Sequence, residues 1–445
     1  MLAGRRGYEQ IDAVFVDSLL VALDRRLGDQ LDELLHHPAV QKLEAAWRGL
    51  ALVVDSVRFE ENIQVELANC SKQALADDFA DAPEIPKSGL YRLAYTGAYA
   101  TFGGKPYGLI CADYEFGPGA EDLGLLRQCA AVAAMAHAPF ITNIGPDFFG
   151  LQSFADLPRV RDLPAILAGP RYRLWHAFRD TEDARYVGLC APRFLLRAPY
   201  GRRDSELTVK TFDFSEDVID HHDRYLWGPA SLALTARVAE SFARYRWCPN
   251  IIGPQGGGSV HGLPLHQYEQ GGELKTRLPC ETTITDRQEL QLANLGFIGL
   301  VLRQDSDNAA FFSASSAQRP RSFTRTPEGL AAQQSAQLGA RLPYMFVITR
   351  LAHYLKVLQR EQIGTWKGRA DLERELTRWI RQYVADMPDP SAETRSRKPL
   401  RRARILVEDV DDQVGWYRCS LQIEPFIQFE GVSFTLSLVG KLDKQ

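Results

Sequence analysis

The sequence has little excess of charge of either sign and no long apolar run. Its 52 basic side chains stand against 56 acidic ones, a net charge of −4, whereas a dedicated nucleic-acid binder normally carries a basic excess. No apolar run reaches the ~18 residues that a membrane span requires. Arg5 and Arg6 near the start are not followed by an apolar stretch, so we predict no secretory signal.

Closely spaced cysteine pairs, of the kind that hold metals or catalyse redox reactions, are also missing. Seven cysteines in 445 residues are an odd number, and no two of them form a CxxC motif. Most lie in apolar stretches, which predicts reduced, buried thiols in a cytoplasmic protein. The 45% share of hydrophobic residues is typical of a folded protein, and the length predicts two or three domains.

Catalytic motifs are scarce. The loop at 253–259 (GPQGGGS) has no lysine where a phosphate-binding loop needs one and does not match GxGxxG, so we expect a tight structural turn. His261 and His266 lie five residues apart, and zinc prefers more closely spaced pairs. The alternative function is a soluble cofactor- or metal-binding enzyme that uses 253–258 with these histidines. We predict no catalytic residue, no cofactor and no metal.

The first strong pattern predicts a helix over about residues 11–35. Apolar side chains recur every four residues along it, as on one face of a helix: Phe15, Leu19, Leu23, Leu27 and Leu31. Pro38, at a first-turn position, predicts a second helix over about 38–55. We interpret residues 1–55 as an N-terminal helical arm or docking hairpin. Residues 63–67 (IQVEL) alternate in polarity, which predicts a half-buried strand.

Strand-like and helical segments interleave through the rest of the chain, which predicts a mixed α/β or α+β fold. The apolar stretch at 342–362 predicts a core helix, in which His353 is a hydrogen-bonded core histidine. We place a body of two α/β subdomains at 56–385. The prolines at 388 and 390 indicate a linker, so we assign 386–445 to a separate C-terminal segment.

The C-terminal segment contains two clear strand patterns. Apolar residues alternate with polar ones at about 414–429 and 432–440: Tyr417, Cys419, Leu421 and Ile423, then Phe434, Leu436 and Leu438. Two or three strands cannot form a core alone. They either dock on the body of their own chain or join strands of another chain, and the pattern leaves both possibilities open with similar weight.

A basic run precedes these strands. Six of its ten residues carry a positive charge: Arg395, Arg397, Lys398, Arg401, Arg402 and Arg404. Because the whole chain is slightly acidic, we favour contact with an acidic surface of a partner. A solvated face is the second interpretation, and nucleic-acid binding is the least favoured.

The sequence also resembles a known family over about residues 15–443. The chain resembles the large subunit of the type VI secretion contractile sheath, the TssC/VipB family. The motifs that carry the resemblance occur in order along the chain: 37–50 (HPAVQKLEAAWRGL), 116–119 (FGPG), 135–140 (MAHAPF), 225–228 (YLWG), 245–258 (YRWCPNIIGPQGGG), 306–313 (SDNAAFFS), 342–346 (LPYMF), 351–354 (LAHY), 362–366 (QIGTW) and 434–440 (FTLSLVG).

The resemblance implies a structural function. Such subunits pair with a small sheath subunit (TssB/VipA) and polymerise from a baseplate as a helical tube around the Hcp inner tube, which contraction expels. The ATPase ClpV recycles the contracted sheath, mainly through the small subunit. The resemblance implies tail-sheath-like α/β domains whose C-terminal strands are shared between subunits. It also implies a strand-donating segment ahead of the first helix, where this sequence has about ten residues. A phage-tail-like injection particle is the nearest alternative.

Overall fold

The computed structural model describes residues 13–201, 207, 212, 214–303, 306–323, 326–362, 368–409, 417–426 and 436–440. Its helices are α1 (Ala13–Leu35), α2 (Pro38–Ser56), α3 (Lys72–Asp81), α4 (Gly89–Tyr91, followed by a π-helix over Arg92–Ala100), α5 (Ala120–Ala136), α6 (Leu163–Leu167), α7 (Arg173–Arg179), α8 (Ala230–Tyr245), α9 (Asp286–Leu295), α10 (Pro327–Gly339), α11 (Leu342–Gln362), α12 (Arg369–Arg381) and α13 (Ala392–Arg397).

The strands form two larger sheets and two small pairs. The strands are β1 (Ile110–Phe116), β2 (Phe140–Ile144), β3 (Val187–Ala191), β4 (Phe194–Leu195), β5 (Trp227–Gly228), β6 (Ser259–Val260), β7 (His266–Gln270), β8 (Glu273–Arg277), β9 (Ile298–Leu302), β10 (Ala309–Phe311), β11 (Leu400–Asp409), β12 (Tyr417–Pro425) and β13 (Leu436–Gly440). The fold is mixed α and β, as the sequence predicted.

A six-stranded sheet in the order β1-β2-β3-β9-β10-β6 forms the centre of the molecule. Strands β1, β2, β3 and β9 are parallel, and β10 is antiparallel to both of its neighbours. Successive side chains of β2 enter two different cores: Phe140 packs with α5, and Ile141 packs with α8 and the start of α11. Helices therefore cover both faces of the central strands, which explains the continuously apolar sequences of β3 and β9.

Helix α11 connects this sheet to a third core. Leu342 and Phe346 pack beneath the central sheet, whereas Tyr344 and Ile348 belong to the core shared by α12, β11 and β12. Gly188 on β3 allows the close approach, because a Cβ there would lie 2.7 Å from Leu342 Cδ1. The predicted helix at 342–362 is confirmed, and one helix serves two cores.

The N-terminal helices are also confirmed, but the predicted strand at 63–67 is wrong. Helix α2 packs along α8. Residues 63–67 form neither a strand nor a helix, and Val65 and Leu67 are exposed. The alternation of polarity marks a segment suited to a strand, but such a strand also needs a neighbour to pair with, and no described strand of this chain lies beside it.

Two histidines lie where α11 meets α5. His353 Nε2 bonds Ala136 O at 2.9 Å, which confirms its predicted role, and His137 Nδ1 lies 3.2 Å from the Tyr186 hydroxyl. Burial lowers the pKa of each imidazole to about 4. Both rings are therefore neutral in the folded chain at neutral pH.

This burial predicts a pH-dependent stability. Between pH 6.5 and about 4 these histidines bind protons in the unfolded chain but not in the folded chain. The free energy of unfolding therefore falls as pH is lowered, by at most about 1.4 kcal/mol per pH unit for each histidine. Urea denaturation of the wild type and of His353→Gln measures this. We expect a shallower pH dependence for His353→Gln, and equal slopes would contradict the assignment.

Candidate assembly surfaces

Helix α1 exposes the apolar stripe that the sequence predicted for the arm. None of its 23 residues is buried. Phe15, Leu19, Leu23 and Leu27 are 43–60% exposed, and Leu31 is half-buried. Covering one such side chain would contribute ~1.5–3 kcal/mol. An apolar stripe of this length is typical of a helix that docks on another surface.

Helix α2 presents a second exposed surface, whose residues the sequence analysis included in the docking hairpin but did not name as interface residues. Its inner face buries Gly49 and Val53, while Leu43 and Trp47 on other positions are each 60% exposed. The sequence does indicate this surface, because α2 carries more apolar residues than one face of a helix can hold. Exposed tryptophan is characteristic of protein interfaces.

A buried charge network fixes the junction of these two helices to the body. Arg197 donates to both oxygens of Glu216 (2.6 and 3.1 Å) and to Glu44 of α2 (2.8 Å). His36, at the end of α1, lies 3.1 Å from Glu216 Oε1. Burial opposes the charge on Arg197 and on Glu44. Hydrogen bonds and charge from Glu216, and then from Glu44, outweigh burial at Arg197 and raise its pKa, while Arg197 and Arg48 lower the pKa of Glu44. Removing Arg197 would leave the buried carboxylate of Glu216 without its arginine partner, a cost of ~3–5 kcal/mol.

The C-terminal strands form an antiparallel sheet in the order β11-β12-β13. Leu421 and Ile423 of β12 are 1–2% exposed and pack with residues of α11 and α12, and Tyr417 lies at the edge of that core. The side chains of Leu421 and Ile423 are thus covered by their own chain, so a neighbour that adds a strand to this sheet does so at an edge strand. Leu436 and Leu438 lie in β13 opposite Ile423 and Leu421, and Phe434 lies outside the described residues.

The basic run divides between two elements. Arg395 and Arg397 lie on α13, Lys398 follows it, and Arg401, Arg402 and Arg404 lie on β11. Four of these side chains already contact acids of the same chain: Arg395 contacts Asp389, Arg397 contacts Glu393, and Arg401 and Arg402 contact Glu424. Such exposed pairs are worth only ~0–1 kcal/mol, so they exchange readily for a partner's acids.

The glycine loop at 253–258 is a tight turn, as predicted. Gly257 has φ +94°, and a Cβ there would lie 2.4 Å from Asn250 O. Asn250 Nδ2 also donates to Ser396 Oγ of α13 at 2.7 Å. Between the loop, the end of α8 and α13 lies an open cavity of about 530 Å³, whose lining includes Arg244, Arg395 and Arg397 with Glu393. The lining therefore carries an excess of positive charge.

The histidines proposed for the alternative function have ordinary partners. His261 Nδ1 lies 3.0 Å from Asn308 Oδ1, and His266 Nδ1 lies 3.0 Å from the Tyr225 hydroxyl. Across the described parts of the chain, no group of three or more His, Cys, Asp or Glu side chains is placed to hold a metal ion. All seven cysteines are free thiols, and Cys70 is the exposed one.

Known proteins match the chain almost from end to end. Residues 17–318 match the EvpB/VC_A0108 tail sheath N-terminal domain, and residues 331–442 match the EvpB/VC_A0108 tail sheath gpW/gp25-like domain. The type VI secretion system sheath protein TssC1 of Pseudomonas aeruginosa is 36% identical over 431 residues, which cover 96% of this chain and 86% of that protein.

The two matched regions contact each other in the folded chain. Helix α11 of the second region packs against the central sheet of the first, and the arginine-lined cavity takes its walls from both. No helix within the described residues is long and apolar enough to span a membrane. With two tail sheath domains matched in order and a sheath protein aligned over nearly its full length, the chain belongs to the VipB family of type VI secretion sheath proteins.

Proposed function

We propose that this chain is the large subunit of the contractile sheath, and that it acts mechanically rather than as a catalyst. In the cytoplasm it pairs with the small sheath subunit (TssB/VipA) and polymerises from a baseplate around the Hcp inner tube. The exposed stripe of α1 carries the proposal, because a well-packed body gains nothing from 23 helical residues with none buried. Family membership and the ordinary partners of His261 and His266 disfavour the enzyme alternative.

Contraction requires two packing arrangements of the same subunits that differ in free energy, with assembly trapping the higher one. The rigid unit comprises both larger sheets, because α11 packs against the central sheet and against the C-terminal sheet. Subunits then rotate as bodies while shared strands keep them attached. Recycling by ClpV acts mainly through the small subunit, so this chain needs no nucleotide site.

In this proposal each of three surfaces makes a different contact between subunits. The α1 stripe with the outer face of α2 receives the small subunit, and the Arg197 network holds the base of this arm on the body. The edges of the β11-β12-β13 sheet receive strands of neighbouring copies. The arginine-lined cavity and the basic run receive an acidic segment of an adjacent subunit.

The first prediction concerns the arm. Leu19→Asp combined with Leu23→Asp places two charges in the proposed apolar contact, so capture of this chain by the tagged small subunit should weaken by at least about tenfold, since each buried leucine contributes ~1.5–3 kcal/mol. Val21→Asp is the matched control, because Val21 lies on the opposite face of α1. Equal capture of the double variant and the control would contradict the docking role.

A second prediction concerns the C-terminal sheet. A chain ending at Phe426 lacks β13 and should form no tubes in negative-stain images, while it still binds the small subunit. A chain ending at Gly440 keeps β13 and serves as the control. Tubes of normal length from the shorter chain would show that this strand is not needed for attachment between subunits.

The cavity gives a third prediction. Arg244→Glu combined with Arg397→Glu reverses the charge of the lining, so tubes should become several-fold shorter or disappear while binding of the small subunit is kept. Arg378→Glu, an exposed charge reversal on α12, is the control. If the double variant and Arg378→Glu give tubes as long as the wild type, the cavity does not bind an acidic partner segment.

A further inference from the structure

The C-terminal end of α3 carries charges that oppose the helix. Asp77, Asp78 and Asp81 lie in its last five residues, Glu84 follows shortly after it, and the sequence has no basic residue from 73 to 86. The C-terminus of a helix bears a partial negative charge, so acidic side chains there are unfavourable. Asp77 and Asp81, four residues apart, also repel each other. The chain therefore keeps at this helix end an arrangement that by itself lowers the stability of α3.

The exposed carboxylates at this end have no basic partner in the folded chain. Asp77, Asp81 and Glu84 are exposed and form no ion pair within the described residues. Glu182, by contrast, is an exposed acid that contacts Arg321 at 3.2 Å. The end of α3 is thus an acidic surface whose charge is not balanced by the chain's own bases.

The arginine-lined cavity has the opposite imbalance. The exposed guanidinium of Arg244 lies over the Tyr245 ring, 5.6 Å from its centroid, and pairs with no carboxylate of the described residues. Arg397 contacts Glu393 at 3.3 Å, but both side chains are more than half exposed, and a second acid can replace such a weak partner. The volume of about 530 Å³ lies in the range of roughly 300–1,000 Å³ found for ligand pockets.

The end of α3 and the cavity belong to different sides of the molecule. Leu75 and Phe79 anchor α3 in the core on the side of α5, whereas the cavity lies at the end of α8, which covers the other face of the central sheet. Complementary surfaces on different sides of one chain join its copies head to tail. A head-to-tail contact that does not close into a ring produces a helical filament.

We propose that the arginine-lined cavity of one copy of this chain receives the acidic end of α3, residues 77–84, of a neighbouring copy. This inference rests on the proposed function and names the acidic segment that enters the cavity. The arginines of the cavity would balance the carboxylates of the neighbour and relieve the repulsion at its helix end. The contact is separate from the α1 stripe and from the edges of the C-terminal sheet.

Reciprocal charge reversal tests the pairing. Asp77→Lys combined with Asp81→Lys should shorten tubes several-fold in negative-stain images, while capture by the tagged small subunit is kept. Lysine is favourable at the C-terminal end of a helix, so this variant should fold. Adding Arg244→Glu and Arg397→Glu to the same chain restores opposite charges across the contact, so the tubes should lengthen again several-fold.

The control replaces the two cavity substitutions by Arg378→Glu, an exposed charge reversal outside the cavity lining, which should not restore the tubes. Tubes of wild-type length from the α3 variant, or no recovery in the fourfold variant, would overturn this inference and leave the proposed function standing. A wild-type chain that forms no tubes with the small subunit would instead overturn the proposed function.

Cross-linking identifies the occupant of the cavity directly. The exposed Cys70 is first replaced by serine, and Asp81→Cys and Arg397→Cys are then introduced together. In tubes of this variant a short bismaleimide should join copies of the chain into a ladder of multimers on denaturing gels. Chains with only one of the two new cysteines are the controls and should give no ladder. Cross-links to the small subunit in place of the ladder would show that the acidic segment comes from that partner, which would overturn the inference.

Discussion

Helix α11 is the element on which the rest of the structure depends. It is buried on most sides over its first three turns, and it contributes to the core under the central sheet and to the core of the C-terminal sheet. Neither sheet can shift relative to the other without opening one of these cores, and close-packed interiors resist such deformation. The two sheets and α11 therefore form one rigid centre, which extends from β1 to β12.

Exposed apolar side chains, sheet edges and charged side chains lie at the periphery of this centre. Four features lie outside the three cores: the stripe of α1, the outer face of α2, the edges of the C-terminal sheet and the arginine-lined cavity. Each offers a different kind of contact: apolar area, main-chain hydrogen bonds or charge. A subunit built this way can transmit force through its centre while several separate contacts hold it to its neighbours.

Much of the fold could be predicted from the sequence, because the periodicity of α1, α2 and α11 is a local property. The prediction failed where partners decide the outcome. The alternation at 63–67 predicts a strand, but whether a strand forms depends on a neighbour, and none of the described strands pairs with these residues. The alternation at 417–423 could not show whether Leu421 faces its own helices or another subunit, and the structure places it against α11 and α12. The cavity joins 244, 255 and 395–397, which only the folded chain brings together.

The most direct test of the account is an electron cryomicroscopy map of this chain co-expressed with the small sheath subunit. We predict helical tubes in which the central sheet and α11 keep their packing, while other chains cover the α1 stripe and the arginine-lined cavity. Dispersed single subunits, or tubes that leave both of these surfaces in solvent, would contradict it.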